Sequence, residues 1–147
     1  MIEKVSLRDL NEIYRLEKKT FKSDSFSRNL LQSLIQANSL FFKLVSSKDS
    51  KKLIGYVILI KDDEYRFNLI NFLIKKKYQN KGYGSLLLKK TLSILKKFPK
   101  INKVILNVRI TNLRAINLYN KFGFEIIGKI ANYYRDNESA YLMELKI

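Results

Sequence analysis

The apolar pattern of this chain changes period at Gly82. Before it, residues 40–45, 53–60 and 65–74 are short runs of apolar, β-branched and aromatic residues, the composition of strands. After it, Leu87, Leu88, Thr91, Leu92 and Leu95 recur at helical spacing up to the only proline, Pro99. A strand ending near Ile74 and a helix opening near Gly82 must therefore meet at a corner that carries two glycines. Helices interleaved with strands bury their apolar faces only by covering a sheet, so the pattern calls for a mixed α/β architecture.

The flanking segments continue the alternation. Ser6 and Asp9 make a capping box before Leu7, Leu10, Ile13 and Tyr14, which predicts a helix over about 7–19. Phe26, Leu30, Leu31, Leu34 and Ile35 form a second helical stripe beyond the polar loop from Lys22 to Ser25. The Ser/Lys/Asp stretch 46–52 reads as the turn of a hairpin. Lys103–Val108 is a strand and Asn112–Phe122 a helix closed by Gly123, with two more strands near 124–131 and 139–146. The predicted order is β-α-α-β-β-β-α-β-α-β-β, one domain over residues 1–147 with no repeat and no long linker.

What is missing limits the chemistry. With no His and no Cys among 147 residues there is no imidazole base, no thiolate nucleophile and no metal site of the usual kind. Catalysis is left to carboxylates, Tyr, Lys, Ser/Thr and backbone, which suits a reaction in which two reactants are aligned and a cofactor carries the activated group. The formal charge of +16 points to an anionic partner such as a phosphorylated cofactor, a membrane surface or nucleic acid. The Lys pairs at 51/52, 89/90 and 96/97 are scattered, however, and a solvated basic surface explains most of them. No apolar run approaches the ~20 residues of a membrane span, and the start carries no signal-peptide core, so a cytoplasmic protein without a membrane partner is expected.

Two constellations could carry chemistry. Gln79-Asn80-Lys81-Gly82-Tyr83-Gly84 lies between strand and helix, where glycines let backbone N–H groups point outward and the helix N-terminus adds unpaired donors for a diphosphate. A plain strand-turn-helix corner accounts for the same residues. The second is the stretch from Asn112 to Phe124, in which Asn112 caps a helix and Tyr119 is either core or catalytic.

Together, in this order and on these elements, Gln79-x-x-Gly82-x-Gly84 and Asn112-x-x-Ala115-x-x-x-Tyr119-x-x-x-Gly123-Phe124 resemble the two acetyl-CoA motifs of the GNAT acetyltransferases, over roughly residues 53–146. Leu106-Asn107-Val108-Arg109, Asn132-Tyr133-Tyr134 and Ala140-Tyr141-Leu142-Met143 look like the RimI-like and archaeal N-terminal acetyltransferase subgroup. The resemblance implies a mixed, mostly antiparallel sheet of six to seven strands flanked by about four helices. It also implies direct acetyl transfer from acetyl-CoA to an N-terminal α-amine of a protein, a ribosomal protein among the candidates. By position it assigns backbone of Leu73 and Ile74 to the pantetheine and acetyl carbonyl. Gln79 and the amides of Asn80, Lys81, Gly82, Tyr83, Gly84 and Ser85 go to the pyrophosphate, and Asn112 to the pantetheine arm. Tyr119 becomes the general acid, and Tyr133 and Tyr134 border the acceptor groove.

Asn107 departs from the subgroup, which carries Glu there as general base; an amide takes no proton near neutral pH. Near pH 7.4 a lysine amine is neutral in about one molecule in a thousand, an α-amine in roughly a quarter, so an α-amine needs little base assistance. Either Asn107 orients a water, with Glu64 or Asp24 as a distant carboxylate, or efficient catalysis has been lost. The rivals are a small-molecule or lysine acetyltransferase, an acetyl-CoA sensor, and a nucleic-acid module built on Lys75, Lys76, Lys77, Tyr78, Lys81 and Tyr83, which the dispersal of the other basic residues disfavours. A monomer or homodimer fits equally well.

Overall fold

The computed structural model describes residues 1–37, 39–48 and 50–147. Eleven elements follow in the expected order: β1 (Ile2–Lys4), α1 (Leu10–Phe21), α2 (Arg28–Gln36), β2 (Leu40–Val45), β3 (Leu53–Asp63), β4 (Arg66–Ile74), α3 (Tyr83–Leu95), β5 (Lys103–Arg109), α4 (Leu113–Lys121), β6 (Glu125–Ile130) and β7 (Ala140–Lys146). The seven strands form one sheet in the order β1-β2-β3-β4-β5-β7-β6, antiparallel throughout except for β4 against β5. The fold class expected from the residues is the one observed.

Helix boundaries shift by a few residues. The Ser6 amide donates to Asp9 Oδ2 at 2.9 Å as a capping box does, but it closes a 3-10 turn over Leu7–Asp9 that α1 then continues to Phe21. The second helix starts at Arg28 rather than Phe26, because Ser27 Oγ accepts the Leu30 amide at 3.1 Å and sets the N-cap. Strand β3 runs on to Asp63 because its ladder with β4 persists to the pair Asp63–Arg66. Across the described residues no helix is long and apolar enough to cross a membrane.

The sheet has a core on each face. On one, α3 and α4 set Leu87, Leu88, Leu92, Leu95 and Ile116 against Val57, Leu59, Phe67, Leu69 and Leu106. On the other, α1 and α2 set Leu10, Ile13, Leu31 and Leu34 against Phe41, Tyr56, Ile58 and Leu73. In an unbroken strand, odd-numbered residues of β4 would share one face, yet Phe67 and Leu69 lie in the first core and Leu73 in the second. The reason is a bulge: Leu59 pairs with Leu69 and Ile58 with Asn71, which leaves Ile70 without a partner.

That bulge falls where β4 and β5 part. Their parallel pairing runs from Arg66–Lys103 to Leu69–Leu106 and goes no further. A bulge bends the strand that carries it, so Ile70–Ile74 leaves the plane it shared with β5 and the sheet opens between them.

Candidate active site

The opening between β4 and β5 holds a cleft of about 310 Å³ lined by Phe72, Leu73 and Ile74 of β4, Gln79, Asn80, Gly82, Gly84 and Ser85 of the following corner, and Asn112, Arg114, Ala115 and Leu118 around α4. Thr20 and Phe21, at the end of α1, close one side. The Lys75 amide bonds Ile54 C=O at 2.9 Å, and antiparallel alternation from that bond commits the N–H and C=O of Leu73 to Tyr56. The backbone groups of Phe72 and Ile74 point the other way, into the opening. Leu73 thus contributes lining rather than the free backbone groups expected of it, and Phe72 takes that place.

The glycine corner is built as its sequence suggests. Asn80 and Gly82 have φ of 62° and 85°, the left-handed region that Asn and Gly tolerate best. The Leu86 amide makes the first helical bond, to Gly82 C=O at 3.0 Å, so the amides of Tyr83, Gly84 and Ser85 lie in the open first turn of α3. Gln79 braces the corner, because its Nε2 donates to Ile74 C=O at 2.9 Å while its Oε1 accepts from Arg114 Nη1, fastening strand, corner and α4 together. The side chains of Lys81 and Tyr83 do not line the cleft; Tyr83 packs edge-on against Tyr78 at 5.8 Å.

Asn112 combines two capacities. Its Oδ1 accepts the Ala115 amide at 3.2 Å as the N-cap of α4, which leaves its Nδ2 to donate into the cleft that it lines. Tyr119, 5% exposed, lies between the rings of Phe72 (6.2 Å) and Phe124 (5.5 Å). Burial, and then the nearby Tyr134, push its phenol far above the ordinary tyrosine value, so it keeps its proton at neutral pH.

Asn107 lies on the opposite face of β5. Val104, Leu106 and Val108 turn into the α3–α4 core, so Asn107 and Arg109 face the α1–α2 side. Asn107 Nδ2 donates to the Tyr133 hydroxyl at 3.1 Å, and its Oδ1 is buried with no partner among the described residues. Tyr133 packs edge-on against Tyr134 at 5.0 Å. Burial, with Tyr133, Asp24 and Glu138 nearby, raises the Tyr134 phenol to about 12 against the opposing pull of Arg109.

The distant carboxylate expected for Asn107 is not available from either candidate. Glu64 stands in the turn between β3 and β4, far from the opening, and pairs with Lys100 at 3.7 Å. Asp24 is nearby but engaged by Arg109.

Sequence reasoning passed over several residues here. Arg114 had no signal beyond its place in the second motif, and Phe72 none beyond the apolar strand that ends at Ile74. Arg109 Nη1 donates to Asp136 (2.9 Å) and Glu138 (3.0 Å), its Nη2 donates to Asp24, and its guanidinium stacks on Tyr134 at 4.0 Å. Glu17 is 1% exposed and accepts from the Tyr56 hydroxyl, from Asn71 Nδ2 at 2.8 Å and from the Phe26 amide at 3.0 Å. A charge on the apolar stripe of α1, four residues after Ile13, was its visible sign.

Known proteins resemble this chain in sequence and in fold. The model of the acetyltransferase (GNAT) family matches residues 7–124. An N-alpha-acetyltransferase of Sulfurisphaera tokodaii is 36% identical over 76 residues, 52% of this chain and 46% of that protein, so the match spans just under half of that relative's length. A Bacillus subtilis protein provisionally named a ribosomal protein bS18-alanine N-acetyltransferase is 31% identical over 99% of this chain and 95% of its own. The crystal structure of the ribosomal-protein-S18-alanine N-acetyltransferase from Escherichia coli superposes with a TM-score of 0.86 at 27% identity, covering 100% of this chain and 93% of that one. From its first helical turn through Gly123-Phe124, the chain belongs to the acetyltransferase (GNAT) family.

Proposed function

We propose that this protein transfers the acetyl group of acetyl-CoA directly to the N-terminal α-amine of a protein in the cytoplasm. The observation that carries the reading is the opening between β4 and β5: the glycine corner and Asn112 line a cleft there, Tyr119 does not itself line it but packs against Phe72, which does, and Asn107 with Tyr133 faces the α1–α2 side. Two reactants can meet there from opposite faces of the sheet.

The residues present fit the cofactor. The first-turn amides of α3 and the corner from Asn80 to Gly82 take the pyrophosphate, and Asn112 Nδ2 takes the pantetheine arm. Backbone N–H groups of Phe72 and Ile74, which point away from β3, would donate to the thioester carbonyl and stabilise negative charge on its oxygen. As the neutral amine forms the new C–N bond and the C–S bond breaks, Tyr119 donates its proton to the departing sulfur, and the proton lost by nitrogen passes to solvent.

Asn107 Oδ1 accepts an N–H of the incoming amine, directly or through a water, and orients it without removing the proton. Protonation is then governed by the amine itself, which favours an α-amine over lysine. Tyr133 and Tyr134 wall the acceptor side.

The test is CoA release with short peptides, Ala-initiated ones included, bearing free or acetylated N-termini. Turnover restricted to free N-termini and reduced about 100-fold or more in Tyr119→Phe supports the assignment. Turnover that persists on blocked peptides through lysine, or an unaltered rate in Tyr119→Phe, overturns it.

A further inference from the structure

Two segments flank the acceptor side of the opening: the turn after α1, residues 22–25, and the connection between β6 and β7, residues 131–139. They come from distant parts of the chain, and side chains join them at one point. Asp24 of the first accepts from Arg109 and, through its other oxygen, from the Arg135 amide at 3.4 Å. Asp136 and Glu138 of the second accept from the same guanidinium. Three carboxylates from two segments thus converge on a single arginine at the end of β5, two residues beyond Asn107. Its flat face covers Tyr134, the neighbour of the tyrosine that holds Asn107.

The near segment is anchored from below. Glu17 is buried with three donors and, among the described residues, no cation; Tyr56 and Asn71 fix it to β3 and β4, and it accepts the Phe26 amide, just past Asp24. The loop is therefore pinned to the sheet at one end and to Arg109 at the other.

We propose that Arg109 is a positioning residue for the acceptor: its clasp on Asp24 couples residues 22–25 to 131–139 and sets the width of the groove between them. Arg109 acts through Asp24, Tyr134 and Tyr133 and touches no reacting atom. The fork geometry of guanidinium is what allows one side chain to serve several carboxylates; an ammonium is a point charge without that geometry. The inference rests on the acceptor side assigned above, and the test keeps the two apart.

The experiment compares wild type with Asp24→Asn, Arg109→Lys, Arg109→Gln and the double variant Asp24→Asn/Arg109→Gln. KM for a free N-terminal peptide and acetyl-CoA affinity by calorimetry are read beside hydrogen–deuterium exchange of residues 131–138. The peptide KM is expected to rise roughly five- to tenfold in Asp24→Asn, with the order wild type, Arg109→Lys, Arg109→Gln, while acetyl-CoA affinity stays within about twofold. The double variant is expected to be no worse than Arg109→Gln, since both remove one contact. Exchange in 131–138 should quicken in Asp24→Asn, although Asp24 lies over a hundred positions away in sequence. A peptide KM unchanged in a folded Asp24→Asn, or an equal loss for acetyl-CoA, overturns the proposal. If wild type turns over no peptide, the acceptor reading fails, and exchange alone decides the clasp: faster exchange supports the coupling and unchanged exchange refutes it.

Discussion

At the scale of single residues, Asn107 and Gly55 are each held by one contact that a substitution would change. The Asn107 carbonyl is buried without a partner among the described residues, which costs about 1–3 kcal/mol unless a ligand or water meets it. Replacing Asn107 with Glu puts a carboxylate at the same position on β5. The rate at pH 6–6.5, where few α-amines are neutral, is expected to rise about tenfold relative to wild type, with a smaller gain near pH 8.5; a pH–rate profile of kcat/KM decides it. Gly55 is constrained by sterics instead: a Cβ there would lie 2.3 Å from the Leu73 carbonyl oxygen, which is backbone and cannot move aside alone. Gly55→Ala is expected to destabilise the protein by about 2–4 kcal/mol, seen as a lower urea midpoint.

At the scale of elements, α3 and α4 begin with different devices. Gly82 starts α3 by adopting a positive φ, whereas Asn112 starts α4 with its side chain. The two capacities of Asn112 can be separated: Asn112→Asp keeps the capping oxygen and loses the Nδ2 donor, while Asn112→Ala loses both. Thermal unfolding should show Asn112→Ala less stable by about 1 kcal/mol and Asn112→Asp near wild type. Both should bind acetyl-CoA more weakly in calorimetry. The start of these helices was legible because a cap is a local matter of φ, ψ and one side chain. The α1 boundary moved because a 3-10 turn and an α-turn share the same capping signal.

At the scale of the whole molecule, three tyrosines share a direction. Burial raises the phenols of Tyr56, Tyr119 and Tyr134 above their unfolded value near 10, with the Glu17 carboxylate adding to the effect on Tyr56. Above that pH the folded protein holds more protons than the unfolded chain, so stability falls as pH rises. The stabilising contribution is complete below about pH 10 and is lost from there upward, for Tyr134 through about 12. Circular dichroism across pH 9–12, with tyrosinate absorbance alongside, should show cooperative unfolding accompanied by tyrosine ionisation. Separate ionisation of these phenols at pH 10 with the fold intact would contradict their burial.

Element order, the glycine corner and the Asn112-to-Phe124 helix were determined by the sequence alone, because periodicity, capping and positive φ act within a few residues of one another. The side proposed for the acceptor was decided by tertiary structure. The bulge at Ile70 exists only as a mismatch between two strands, and it is what opens β4 from β5. Glu17 and Arg109 looked like one more charge on a helix and one more on a strand in a chain of +16. Their partners lie as far as 54 and 85 positions away, and such pairings are set by packing across the sheet, which no local pattern encodes.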